Sequence, residues 1–238
     1  MTEVGEFDLA AEAAVAGLDR EAAWRFVARF ARHWLGAALD GESGVEEPRI
    51  VEAEQRLGLS FPAAVCELYA LAGRRRDLWS NQDELLSIGK LYVQDGVLVV
   101  RHENQGVAIW GVRIEDLHLP DPPVVVHVDR FEPSDQWWEP WTASFTEAVA
   151  HWLVFESLWR DASVASFADD LDADDLEDLL ARAVPVDLAQ PSDGPVTARW
   201  LLVDDVVVLE AGTVMFTARS AEAAAAFRNR YRADWFDE

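Results

Sequence analysis

Three apolar runs rich in β-branched residues form the most regular part of the chain. Residues 97–100 and 107–112 flank the tetrapeptide ENQG at residues 103–106, which has the length and residue types of a hairpin loop. The sequence Asp-Pro-Pro at 121–123 then interrupts the pattern, because proline lacks a backbone donor and restricts the residue before it. Residues 124–128 resume as a third strand. The pattern predicts an antiparallel hairpin at the centre of a sheet.

Apolar residues at helical spacing predict four helices around these strands. Asp19 is a candidate N-cap for the first, and Gly58 and Gly73 end the second and third. Ser144 and Glu147 have the spacing of a capping box at the start of the fourth helix. The apolar side of this helix, which we expect against one face of the sheet, comprises Phe145, Ala148, Val149, Trp152, Leu153 and Trp159.

The C-terminal third predicts an acidic helix followed by strands. Leucines at 171, 176, 179 and 180 fit a helix, and the acids between them are typical of the solvated start of a helix. A calcium-binding loop is the poorer interpretation, because Asp175 occupies the position of its required glycine and Ala181 that of its bidentate acid. Residues 197–203, 206–210 and 213–218 predict a meander, and Ser220 caps a last helix. We expect these strands to extend the first sheet, because an isolated three-stranded sheet with one helix would be only marginally stable. The fold class predicted is therefore α+β.

Charge narrows the range of partners. Lys and Arg number 20 against 44 Asp and Glu, which gives a net charge of 20 − 44 = −24. Such a chain repels phosphate backbones and anionic lipid, so nucleic acid and membranes are not expected as direct ligands, whereas a basic protein is. The single cysteine, Cys66, cannot form an intrachain disulfide, and no basic, apolar leader begins the chain. These features predict a cytoplasmic protein.

Several short motifs follow one another in a recognisable order. They are a helix ending in Arg56-Leu57-Gly58, a Phe61-Pro62 helix ending at Gly73, the ENQGV turn at 103–107 leading to Trp110-Gly111-Val112, DPPV at 121–124, and a helix beginning at Phe145. This order resembles the SUKH superfamily, and within it the branch related to the fungal Smi/Knr cell-wall-synthesis regulators. The ENQG turn followed by the tryptophan is the most specific part.

The resemblance implies a fold and a function. SUKH proteins have a bent, mostly antiparallel sheet with helices packed on it, and their bacterial members are mainly immunity proteins that neutralise polymorphic toxins, many of them nucleases or deaminases. We accordingly expect an N-terminal helical extension (1–44), a SUKH-like core (45–160) and a C-terminal unit packed on that core (161–238). An alternative, implied by the fungal relatives, is a non-catalytic scaffold or regulator that binds an endogenous partner.

The candidate contact residues are aromatic and acidic. Tryptophan among acids suits a partner that presents arginines. The residues predicted to bind the partner are Asp135, Trp137, Trp138, Glu139 and Trp141, together with Glu103 and Asp129. The alternative interpretation is that the tryptophans form a lid of the core over the sheet.

Catalytic chemistry finds little support in the sequence. His127 and Asp129 would share one face of a strand, and with Glu103 they could form a metal or acid–base site, but strand histidines beside acids are commonly structural. The chain contains no phosphate-binding glycine loop, no GxSxG elbow and no CxxC pair. We therefore expect a protein that is not an enzyme and needs no cofactor or metal.

Overall fold

The computed structural model describes residues 7–129, 138–188 and 198–236, which form eight α-helices and two antiparallel sheets. The helices are α1 (Leu9–Ala16), α2 (Arg20–His33), α3 (Glu47–Leu57), α4 (Ala63–Ala72), α5 (Arg76–Trp79), α6 (Phe145–Ser157), α7 (Ala173–Arg182) and α8 (Ala221–Arg230). The α+β class predicted from the sequence is confirmed.

The first sheet, sheet A, has six strands. They are β1 (Glu84–Leu85), β2 (Tyr92–Gln94), β3 (Val97–His102), β4 (Ala108–Arg113), β5 (Val124–Val128) and β6 (Glu139–Thr142). The order is β1-β3-β4-β5-β6, and β2 also pairs with β3. The central hairpin and the third strand are thus confirmed. Register shifts between Val99 and Arg101 and between Val124 and Val125 interrupt the ladders, and such bulges increase the local twist of a sheet.

Gly111 allows the central strands to approach closely. A Cβ built at this position would lie 2.4 Å from the Leu98 carbonyl oxygen and 2.6 Å from the Val97 Cγ1 atom. Both distances are shorter than real Cβ contacts, and one of the atoms is backbone. The glycine of the Trp110-Gly111-Val112 motif is therefore explained by packing.

Helices α1 to α6 share one hydrophobic core with sheet A. Helix α6 is buried along almost its whole length and packs against α1, α2, α4, α5 and β6. Helices α1 and α2 contribute Leu9, Phe26 and Phe30 to the same core. The predicted caps are present, since Asp19 accepts a hydrogen bond from the Ala22 N–H and Ser144 accepts one from the Glu147 N–H. The N-terminal helices are thus an integral part of the core.

The C-terminal strands form a sheet of their own. Sheet B consists of β7 (Ala165–Ala168), β8 (Val184–Pro185), β9 (Arg199–Val203), β10 (Val206–Glu210) and β11 (Val214–Ala218), in the order β7-β11-β10-β9-β8. The predicted meander is correct, but the expected extension of the first sheet is wrong. The added strands β7 and β8 make a five-stranded sheet, which α7 and α8 cover, so the argument from marginal stability no longer applies.

The two faces of sheet B pack on different clusters. Trp200 and Val207 belong to the core that sheet A shares with the helices. Leu201, Val208 and Phe216 belong to a second cluster with residues of α7 and α8. This alternation follows from the two-residue period of a strand. The C-terminal unit therefore packs on the core through one face and carries its own hydrophobic layer on the other.

Candidate functional site

The ENQG loop forms a tight turn between β3 and β4. The Glu103 N–H donates to the Ala108 carbonyl at 2.9 Å, and the Glu103 carboxylate accepts from the backbone N–H groups of Gln105 and Val107 at 2.8 and 3.1 Å. Gly106 has φ +77°, a left-handed conformation that glycine adopts without strain. The residue types that make this stretch recognisable in the sequence are thus those that the turn requires.

Asp129 lies beside this turn. Its N–H donates to the Val107 carbonyl oxygen at 2.7 Å, directly after the pairing of Ala108 with Val128. Asp129 is exposed, and Val107 is 47% exposed although it is apolar. We call residues 103–107 and Asp129 the turn surface. The structure brings together two of the predicted contact residues, Glu103 and Asp129, around an exposed valine.

Two of the predicted tryptophans are buried in the core. Trp138 and Trp141 are only 7% and 6% exposed. The Trp141 ring stacks on Trp152 at 5.6 Å and meets Trp110 edge-on at 5.9 Å, while the Trp138 ring lies 5.7 Å from His127. The core interpretation describes these two rings, and a part for them in binding stays a prediction.

The other predicted contact residues differ in position. Glu139 is half-buried in β6, opposite Val126. Asp135 and Trp137 lie outside the described residues. Of the five predicted contact residues that the structure describes, Asp129 is therefore the one on the open surface, with Glu103 partly exposed next to it.

A buried ionic network lies beneath the turn surface. The Arg101 guanidinium, 1% exposed, contacts the carboxylates of Asp83, at 3.1 Å, and of Glu156, which is completely buried. It also lies over the rings of Trp152 and Trp110, at 5.3 and 5.7 Å from their centres. One cation thus joins the loop before β1, strand β3 and helix α6.

The acids of the network are extensively hydrogen-bonded. Glu156 accepts from the backbone N–H groups of Asn81 and Gln82 at 2.6 and 2.8 Å and of Asp83 at 3.2 Å. Asp83 in turn accepts from the Asn104 N–H at 3.3 Å, which links the network to the turn surface. Burial raises the pKa of the Asp83 carboxyl, the charge of Arg101 opposes this, and the neighbouring Glu156 adds to it. The network holds the turn surface from below and is closed to solvent, so we assign it a positioning role.

The sequence carries a signal for this network, since two charged residues occupy positions of buried apolar patterns. Glu156 continues the buried spacing of Val149, Trp152 and Leu153 along α6, so a charged residue occupied an apolar face. Arg101 likewise continues the apolar run of β3. A charge at a core position indicates a buried partner of opposite charge, because an unpaired buried charge costs several kcal/mol.

The alternative metal site does not assemble. Within residues 7–129, 138–188 and 198–236, no three histidine, cysteine or acidic side chains are grouped so that they could hold a metal ion. The carboxylate of Glu103 is engaged in its turn and the His127 ring packs on Trp138.

Among the helices in the described part of the chain, none is long and apolar enough to cross a bilayer.

Comparisons of the chain with models of known protein families, with curated proteins and with solved structures find no match.

Proposed function

We propose that the protein is a non-catalytic, cytoplasmic binding protein that neutralises a basic toxin, such as a nuclease or deaminase of a polymorphic toxin system. The observation that carries the proposal is the location of the ENQGV stretch. This stretch is the most specific part of the sequence resemblance, and it forms an exposed turn with acids on both sides of an apolar side chain. Binding residues lie disproportionately on exposed loops that a rigid scaffold holds in place, and this turn between two central strands is such a loop.

The charge of the chain supports a cationic partner. The net charge is −24, and residues 169–178 alone carry seven acids and no base. A field of this sign steers a basic protein toward the surface and can raise the association rate by about 10- to 1000-fold at low salt. The turn surface then supplies a short-range contact, in which Val107 is desolvated and Asp129 meets an arginine or lysine of the partner.

The buried network supports the same site in a different way. Asp83 fixes the backbone of Asn104, and Arg101 and Glu156 fix Asp83. A turn held in one conformation before binding loses less conformational entropy when the partner arrives. A part in binding for the other predicted contacts, Asp135, Trp137, Trp138, Glu139 and Trp141, stays a prediction that this proposal does not require.

A co-expression experiment tests the function. The chain is produced together with the toxin encoded beside its gene, and surviving cells are counted. Survival that depends on this chain is the expected result. Cell death with both proteins present in soluble form would refute neutralisation, and a gene neighbourhood without a secreted toxin would favour the scaffold or regulatory alternative.

A charge reversal tests the site. Asp129→Lys places a cation on the turn surface, and we expect the association rate with the toxin to fall by about tenfold at low salt, with a smaller effect in high salt. Asp187→Lys, an exposed position in the C-terminal unit, changes the net charge by the same amount and serves as the matched control. Equal effects of the two substitutions would show that only the overall charge matters.

A further inference from the structure

A half-buried arginine without an acidic partner lies just after α6. Arg160 forms no ion pair or hydrogen bond with any described residue, and its Nη1 atom is buried without an acceptor. Burial lowers the pKa of its guanidinium, and only Asp161 acts in the opposite direction. Because a guanidinium has five N–H donors, partial burial without acceptors is costly unless something else supplies them.

Arg160 lines a cavity of about 100 Å³ between the loop before β1 and the edge of sheet B. Trp159, Phe167 and Met215 give the cavity apolar walls, and Gln82 and Ser166 add polar groups. Phe236 also lines it and stacks on Phe167 at 5.1 Å between ring centres. The cavity therefore combines one cation with polar groups on one part of its wall and apolar side chains on another.

The walls of the cavity are fixed by specific contacts. The backbone of Gln82 is bonded to the buried Glu156 at 2.8 Å. Arg228 donates to the carbonyl oxygens of Ala162 and Ala165 at 2.6 and 3.0 Å. Phe236 and Phe167 exchange two backbone hydrogen bonds of 2.8 and 3.4 Å. The space beside Arg160 is thus defined by the fold on three sides.

We propose that this cavity binds a carboxylate carried on a short apolar stem, with the Arg160 guanidinium as its anchor. The planar guanidinium matches a carboxylate through two parallel N–H donors, and the aromatic walls suit the stem. The volume is small enough to select a short ligand. The net charge of −24 favours a singly charged carboxylate over phosphate, because each further negative charge is repelled by the whole surface. This site stands independently of toxin neutralisation.

A titration followed by NMR tests the proposal. The Arg160 Nε–H signal, identified by its loss in Arg160→Gln, is followed at constant ionic strength while sodium acetate, sodium butyrate or butylammonium chloride is added. We expect saturable shifts with both carboxylates and none with butylammonium. Butyrate should bind more tightly than acetate, by up to roughly fourfold for each methylene that becomes buried.

Two controls complete the experiment. Arg25→Gln removes an exposed arginine that pairs with Glu21 on α2, and it should leave butyrate binding unchanged. If Arg160→Gln does not fold, Arg160→Lys keeps the charge without the paired donors, and butyrate affinity should fall by about tenfold. An acetylated and amidated peptide with one glutamate is titrated in the same way. Shifts with this peptide would identify the ligand as a glutamate side chain of a peptide, whereas shifts with butyrate alone would identify it as a free acid. Shifts that chloride reproduces at equal ionic strength, or butyrate affinity that survives loss of Arg160, would overturn the proposal.

Discussion

The enclosed histidine of helix α6 should make the fold sensitive to mild acid. His151 is 9% exposed, and the rings of Trp141, Phe155 and Trp200 lie 5.3, 6.2 and 5.6 Å from its own. Its Nδ1 atom has no hydrogen-bond partner in the described part of the chain. Burial lowers the pKa of His151 to about 3, and the positive charge of Arg101 acts in the same direction.

The size of the effect follows from proton linkage. An unfolded histidine titrates near pH 6.5, so between that value and about 3 the unfolded chain binds a proton that the native chain does not. The free energy of unfolding must therefore fall as the pH falls through this range. At pH 5 the loss is about 2 kcal/mol, from roughly 1.4 kcal/mol per pH unit over the 1.5 units below 6.5.

Urea unfolding at pH 7.5 and pH 5.0 measures this loss. His151→Leu removes the titrating group from an apolar site, and the drop in unfolding free energy between the two pH values should be about 2 kcal/mol smaller in the variant than in the unmodified protein. The raised pKa of Asp83 acts with the opposite sign above its ordinary value, but it is present in both proteins and cancels. His118→Leu, at an exposed histidine, should leave the drop unchanged. Equal drops in the unmodified protein and in His151→Leu would refute the reasoning.

Three other substitutions or reactions test the interior. Arg101→Met leaves two acids buried without their cation and should lower the unfolding free energy by about 3–5 kcal/mol in urea denaturation, whereas Arg25→Met at an exposed pair should cost less than about 1 kcal/mol. Gly111→Ala forces a methyl group against backbone and should cost about 2–3 kcal/mol by the same measurement, and a loss below about 0.5 kcal/mol would contradict the close approach. Burial raises the pKa of the Cys66 thiol to about 11. Its alkylation by iodoacetamide at pH 8 should therefore be roughly 100-fold slower in the native protein than in urea, because the thiolate is the reactive form. Equal rates would show that the thiol is accessible and contradict its burial.

Local chemistry made much of the fold predictable. The three strands of the meander were placed within two residues of their observed ends, because their apolar runs are bounded by Asp204-Asp205 and by Gly212, which has φ +85°. The caps at Asp19, Ser144 and Ser220 were predicted for the same reason, since each cap depends on a side chain and a backbone group three residues apart.

Features that depend on distant contacts were not predictable in this way. Strand β7, with the sequence ASFA, and strand β8, with only Val184 and Pro185, are too short for periodicity to detect, so the sequence did not indicate a second five-stranded sheet. The same distinction between local and distant contacts applies to the candidate site. The turn around Glu103 follows from neighbouring residues, whereas the burial of Trp138 and the pairing of Arg101 with Glu156 depend on elements that are far apart in the chain.

The two-sided packing of sheet B has a consequence for the order in which the protein unfolds in acid. His151 touches Trp200 at the seam where this sheet meets the shared core, whereas the layer of Phe216 and α8 lies on the opposite face. Protonation of His151 would favour hydration of the face of sheet B that carries Trp200, whereas the face that carries Phe216 would stay buried. We therefore expect the first species formed in acid to be partly unfolded, with the C-terminal strands still paired and the tryptophans next to His151 accessible to solvent quenchers.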